Sequence, residues 1–261
     1  MFNHLSVASA FSFKYGTTQP HDLVARAAQF GAPALAITDR DSLAGVIRFV
    51  QAAKDFGIAP IVGVNLGLDN SRVTLLAQSD GGWRSLCRLM SALRPDRNPP
   101  TLHLEKIKTL SEYTSNLILL HGPDSQIANL ITKHRPDQAI YEYNKYRPYF
   151  ADSVIECVSH LAPGDGPRST GHAGRMLGFA RDHDLPAVIT NGVRMLDAAD
   201  GPIADILDAA RKLVPLHKRH VERANNEAYL KDNQQMRDLA DEISRAAGER
   251  SGRALLRTTQ R

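Results

Sequence analysis

Cysteine is nearly absent: the 261 residues hold two, Cys87 and Cys157. They lie far apart and form no metal-type pair, which excludes a disulfide framework and a zinc ribbon and makes a reducing cytoplasm the expected compartment. No run approaches about 18 apolar residues, so no hydrophobic membrane span is expected. The opening MFNHLSVASAFSFKYG has no basic patch ahead of a long apolar stretch, and no secretory signal is read there. A Gly-rich phosphate loop, a nucleophile elbow and an HExxH motif are all missing. Charge is not strongly of one sign: 32 Lys+Arg against 28 Asp+Glu give +4, compatible with nucleic-acid contact but far from requiring it. Internal repeats and low-complexity tracts are also lacking. What remains is an ordinary globular composition, 43% hydrophobic and 23% charged, able to bury a core. The length suits one or two domains, and a single α/β barrel fits it.

Strand-like and helix-like segments alternate almost from the start. HLSVASA (4–10) reads as a short strand. Pro20 then opens a helix with Leu23, Val24, Ala27 and Phe30 at helical spacing, closed by Gly31. ALAIT (34–38) is a compact strand, and Asp41 or Ser42 is the expected cap of a helix through Phe49, Val50 and Ala53 that ends at Gly57. IAPIVGVNL (58–66) and RVTLLAQ (72–78) are strand-like, and a helix carrying Trp83, Leu86, Cys87, Leu89 and Met90 follows. Further buried strands are expected at 115–122, 152–159 and 185–191, with helices near 124–133, 136–147, 171–184 and 199–213. Loops are expected at 96–101 and 161–170 from their Pro and Gly content. The repeated alternation argues for a mainly parallel sheet covered by helices, either a closed or distorted barrel or an open doubly wound sheet. After about residue 215 the pattern turns to polar helices, and ERSGRALLRTTQR reads as a solvated tail or linker.

Candidate chemistry is thin. His4 precedes Ser6 by two positions, and a strand places both on one face. An imidazole and a hydroxyl make a poor metal pair, so His4 reads as a satisfied structural histidine. Asp39 and Arg40 follow a strand, where α/β enzymes place chemistry; Asp39 could ligate a metal, pair with Arg40 or cap a helix. His160 could point to the same rim. His172, His183, His217 and His220 lie in polar or helical segments and are expected to be exposed.

Taken in series, the motifs resemble a known family. FNHLSVASAFSFKYG is similar to the FxHLHVHSxYSLLDG opening of PHP domains, the polymerase and histidinol phosphatase superfamily. The resemblance is closest to the N-terminal PHP domain of bacterial DNA polymerase III alpha subunits of the error-prone type. Similar segments follow in order: LAITDRDS, IAPIVGVNL, RVTLLAQSDGGWRSLCRLMS, LPAVITNGVRMLDAADGPIADIL and EAYLKDNQQMRDLADE. This resemblance implies a distorted (β/α)7 TIM-like PHP barrel over 1–214, with a helical extension over 215–261 towards a polymerase module. It implies a cleft at the strand ends that, in active members, binds up to three divalent metals and hydrolyses phosphoesters, in some polymerases as a 3′–5′ exonuclease. Here the pattern is largely broken. His4 keeps the first family histidine, but Ser6 and Ala8 stand at the next two. Tyr15 replaces an Asp, Arg40 a His beside the retained Asp39, Asn65 a Glu and Arg72 a His. Gly192 and Arg194 replace an Asp and a His, and His160 is a loose match to a further ligand.

Arginine has no acceptor, so it cannot ligate a cation. Fixed guanidiniums in a cleft also make divalent binding unfavourable by several kcal/mol at low effective dielectric. No Zn, Mn or Mg is therefore expected. The arginines are expected to be paired internally, with Asp39 among their partners, or else to form an anion site at Arg40, Arg72 and Arg194. The implied role is a non-catalytic module that stabilises a polymerase or docks replication or repair proteins. The alternatives are a residual phosphoesterase or exonuclease, and an arginine-lined phosphate or DNA binder.

Overall fold

The structure is a computed structural model and describes residues 1–93, 99–221 and 223–260. Pro20, whose fixed φ suits a first helical turn, starts α1 (Pro20–Gln29), which buries Leu23, Val24 and Ala27. Gly31, at φ 69°, turns the chain from α1 into β1 (Ala34–Ile37). The order continues through α2 (Val46–Asp55), β2 (Ala59–Leu68), β3 (Ser71–Ala77), α3 (Asp80–Ala92), β4 (Thr101–Leu102), α4 (Leu104–Thr109) and α5 (Ser111–Thr114). It then runs through β5 (Leu117–His121), α6 (Gln126–Thr132), α7 (Pro136–Tyr146), β6 (Asp152–Val158), α8 (Thr170–Asp182), β7 (Ala187–Thr190), α9 (Gly201–Lys212), α10 (Asn233–Ala246) and α11 (Arg253–Thr259).

Among the described residues, the strands form one curled sheet in the order β1-β2-β3-β5-β6-β7, with β4 beside β2. All neighbours are parallel except at β3, which is antiparallel to both β2 and β5. The reversal has a local cause. Only Asp69 and Asn70 separate β2 from β3, and Asp69 adopts φ 49°. Two residues suffice for a hairpin, whereas a parallel return needs a crossover of about a dozen.

The N-terminal segment joins the two edges of the curl. His4 bridges Leu35 of β1, and Val7 bridges Val193 just after β7. Ala36 N–H donates to His4 O and Thr38 N–H to Val7 O, while Val193 N–H donates to Ser6 O. These are isolated bridges rather than a ladder, so the strand expected at 4–10 is corrected to an irregular stave.

Inside the curl, Leu76, Leu120, Val154 and Val188 pack with Leu5, Ile61 and Ile118. One apolar residue from successive strands fills the lumen, so the barrel is a packed core and not a pore. Outside, α8 buries Ala173, Met176, Leu177 and Ala180 against Ile155, Cys157 and Ile189. Burying each large side chain contributes about 1.5–3 kcal/mol.

Residues 253–259 are not the solvated tail expected from their composition. α11 packs against β7: Leu255 is buried, and Thr259 Oγ1 accepts the Ile189 N–H at 3.0 Å. A basic surface hid a short apolar face with Leu255 at its centre. Three smaller expectations also change. α2 begins at Val46 with Gly45 as its cap residue rather than Asp41 or Ser42, because Asp41 sits at φ 56° and turns the chain instead. Trp83 and Cys87 are half-buried, while Leu86, Leu89 and Met90 carry that face. His172 is buried, with Nε2 donating to Ala128 O. The loop expected at 96–101 falls partly on residues outside those described.

Candidate functional site

Parallel strands deliver their C-terminal ends to one rim. β1 runs out into Asp39 and Arg40, β5 into Gly122 and Asp124, β6 into His160, and β7 into Gly192 and Arg194. The reversed β3 brings its first residues, with Arg72, to the same rim. Ser6, Ala8 and Tyr15 arrive from the N-terminal segment. The outcome is a cavity of about 60 Å³ lined by Ser6, Ala8, Tyr15, Arg40, Asn65, Arg72 and Gly192, with Asp124, Glu156 and Arg168 beside them. It opens into a groove of about 600 Å³ that adds His160, Arg194, Arg211 and Arg223. Arg40 and Arg194 thus meet at one rim.

His4 and Asp39 do not line either space. His4 is buried and donates Nε2–H to Lys231 O at 2.9 Å, and burial lowers its pKa to about 4. It is a structural anchor, but only half satisfied, because among the described residues Nδ1 has no partner. Among the described residues Asp39 does not pair with arginine, contrary to expectation. Its Oδ1 accepts from Ser9 N at 2.6 Å and Ser12 Oγ at 2.7 Å, and Oδ2 accepts from Ser9 Oγ at 2.9 Å. Burial raises its pKa, offset in part by these serine hydrogen bonds. Gly45 permits this cage: a Cβ there would stand 2.7 Å from Asp39 Oδ2.

The arginines are held by other groups. Arg194, 7% exposed at its side chain, grips Asp208, 1% exposed, through both terminal nitrogens at 3.0 Å, and Arg211 adds a third contact at 2.9 Å. Burial alone would raise the Asp208 carboxyl, but the hydrogen bonds from Arg194 and Arg211 hold it below the ordinary carboxylate range. Arg72 donates Nε–H to Asn65 Oδ1 at 2.9 Å and Nη2–H to Asp41 Oδ1 at 2.8 Å. Arg168 donates to Asp124 Oδ2 at 2.6 Å, and Arg223 to Asp205. Arg40 differs. Among the described residues it has no carboxylate within ion-pair distance, and its guanidinium lies 4.1 Å from the centre of the Tyr15 ring. The other cation on that ring is Arg194, at 4.2 Å. Such cation–π contacts are worth about 0.5–2 kcal/mol each.

Two further groups complete the cleft. His160 donates Nε2–H to Asn191 O at 2.7 Å, and burial lowers its pKa to about 4. Glu156 lies on the cavity floor, fully enclosed, and accepts from Thr190 Oγ1 at 2.6 Å and from Ser6. Burial raises its pKa, which favours the neutral acid.

The donor set does not fit a divalent cation. At the positions where the family places ligands, Ala8 and Gly192 offer no side-chain donor and the three arginines offer no lone pair. Among the described residues, no group of three or more His, Cys, Asp or Glu is arranged to hold a metal.

Sequence reasoning missed Glu156, Asp124, Arg168 and Asp208. Glu156 left a trace, since one acid interrupts the apolar run VIECV. Asp208 left a weaker one: it falls four positions after Ala204 on the buried face of α9. Asp124 and Arg168 sit in loops, where no pattern betrays them.

A PHP domain family profile matches residues 4–160. The error-prone DNA polymerase of Symbiobacterium thermophilum is 34% identical over 252 residues, covering 88% of this chain and 23% of that protein. The DNA polymerase III subunit alpha of Buchnera aphidicola subsp. Acyrthosiphon pisum is 31% identical over 267 residues, covering 94% and 22%. Its counterpart in Escherichia coli K12 is 29% identical over 265 residues, covering 94% and 22%. The chain thus spans less than a quarter of the length of these relatives.

Proposed function

The chain belongs to the PHP domain family, and on that premise we propose that it is a non-catalytic structural or docking module of a DNA polymerase III alpha-type protein. Residues 1–214 form the barrel in this reading and 215–261 the extension towards a polymerase module, with replication or repair proteins as further partners. A cytoplasmic location belongs to the same proposal; among the described residues no helix is long and apolar enough to cross a membrane.

One observation carries the reading: a guanidinium locked on a buried carboxylate, Arg194 on Asp208, stands where the family places a metal-binding histidine. A cation there would have to displace a bidentate, desolvated ion pair. Relatives of matching sequence are polymerases about four times as long as this chain, which favours a role beside a larger module.

The test is hydrolysis of a chromogenic phosphodiester and of 3′-labelled single-stranded DNA, with Mn²⁺, Zn²⁺ or Mg²⁺ added and then chelated. The expected result is no metal-stimulated turnover. Turnover that appears with metal and is lost with chelator and in Glu156→Gln overturns the proposal, and would favour the residual phosphoesterase. Co-purification with a separately expressed polymerase III alpha-type polymerase module tests the docking half, and its absence counts against that half.

A further inference from the structure

α9 has two unlike faces. Inward, Gly201, Ala204, Asp208 and Ala209 are buried, and its acids are engaged within the chain, Asp208 by Arg194 and Arg211 and Asp205 by Arg223. Outward, Ile203, Ile206, Ala210 and Leu213 are exposed. Their spacing of three, four and three is the a/d pattern with which helices pair side by side. That stripe carries no charge, although solvent-facing helix positions are ordinarily polar. Leu213 is 86% exposed and holds φ 55°, a left-handed conformation usually left to glycine. Phe13, 79% exposed, lies beside the same end of α9: Lys14 Nζ is 5.2 Å from the Phe13 ring centre and donates to Ala210 O at 3.1 Å. Leu216, also exposed, follows shortly after.

A contiguous apolar patch of this kind marks an interface. The stripe also matches itself. Turned end for end about Asp208, Ile203 comes opposite a second Leu213, and Ile206 opposite a second Ala210. The central pairs then set a large side chain against a small one, the arrangement by which packed layers interdigitate. Charge matches in the same orientation. The C-terminal end of α9 is basic, with Arg211, Lys212 and Lys14, and its N-terminal end is led by Asp197 and Asp200. An antiparallel pair sets each basic end against the other copy's acidic end and opposes the two helix macrodipoles. A parallel pair would set like against like, and a partner helix of uniform charge would suit only one end.

We propose that this chain forms a two-fold symmetric dimer by antiparallel packing of α9 on α9, with Phe13 and Leu216 at the rim. Each copy covers Phe13, Ile203, Ile206, Leu213 and Leu216, which suits the lower end of stable interfaces, about 1,200–2,000 Å² in total. None of these residues lines the cleft, so the dimer stands or falls apart from what the cleft does.

The test is sedimentation velocity of the whole chain from micromolar to millimolar concentration. The parent is expected to pass from monomer to dimer. Ile206→Glu changes an exposed position and is expected to melt like the parent, but to raise the dissociation constant about thirtyfold or more, the scale of losing a central anchor. Ala210→Leu adds apolar surface yet meets the other copy's Ile206, and is expected to weaken the dimer too. Leu213→Gly suits the left-handed conformation, so it is expected to melt like the parent while dimerising more weakly. Tyr141→Ala, at an exposed aromatic of α7, is expected to dimerise like the parent. A parent that stays monomeric throughout overturns the inference. So does a dimer that survives in a folded Ile206→Glu, or one that Ala210→Leu tightens, the mark of unspecific apolar association. A monomer that instead uses this face to hold a separately expressed polymerase module, with binding lost in Ile206→Glu, also overturns it.

Discussion

Replacing Asp208 by asparagine keeps the volume and removes one charge. Its carboxylate receives both terminal nitrogens of Arg194 at 3.0 Å and Arg211 Nη2 at 2.9 Å, with 1% of the side chain exposed. Asp208→Asn therefore strands a guanidinium that is only 7% exposed. Removing one partner from a buried pair costs about 3–5 kcal/mol. Arg194→Met is expected to cost less, about 1–3 kcal/mol, because Asp208 keeps Arg211 and an apolar side chain takes the vacated space. The double variant Arg194→Met/Asp208→Leu is expected to recover most of the loss, since two charges leave together. Urea unfolding followed by circular dichroism measures each value, read as a midpoint shift at constant slope. In a melt, about 3–5 kcal/mol corresponds to a fall of roughly 6–20 °C for a chain of this size. If Asp208→Asn stays within about 1 kcal/mol of the parent, or if Arg194→Met is the costlier change, the pair is not the lock described here.

Other perturbations probe the rest of the molecule. Gly16→Ala would place a Cβ 2.1 Å from Ser9 O, a backbone atom that cannot step aside, so a loss of about 1–3 kcal/mol is expected, and an unchanged melt refutes it. Burial holds folded His4 near 4 while the unfolded chain titrates near 6.5, so the unfolded state takes up the proton first and stability falls as pH drops from about 6.5 to about 4, by up to about 3 kcal/mol. His4→Gln is expected to flatten that part of the stability–pH curve, and an identical slope refutes it. Thr259→Val removes the acceptor for the buried Ile189 N–H and is expected to cost about 1–3 kcal/mol and speed hydrogen exchange at Ile189; unchanged protection there refutes it.

Most of the architecture was legible because buried strands and one-sided helices leave strong periodicities. Leu23, Val24 and Ala27 announce α1, and LILL and VIECV announce β5 and β6. The direction of β3 was not legible from apolar pattern, which is the same whichever way a strand runs; the signal was the Asp69–Asn70 turn. α11 was obscured because its charged surface outweighs Leu255 and Thr259. Within the cleft, the positions of Tyr15, Arg40, Arg72 and Arg194 followed from the family pattern. Their partners did not, since Asp41, Asp124 and Asp208 come from a turn, a loop and a helix that only the folded chain brings together. Asp39 shows the opposite failure. Adjacency to Arg40 suggested a pair, but Ser9 and Ser12 reach the carboxylate first.

The seam that joins the curl has a bearing on how the chain folds. His4 meets Lys231 across 227 positions, and Val7 pairs with Val193. During synthesis His4 and Val7 emerge long before these partners exist. Contacts of such separation form late and slowly, because the loop they close must be ordered before it is rewarded. Until β7 appears, the edge of β1 has only the irregular His4–Ser9 segment beside it, an open template for pairing with another chain. The ring is thus closed by a segment, His4–Ser9, that is made well before the β7 end it joins.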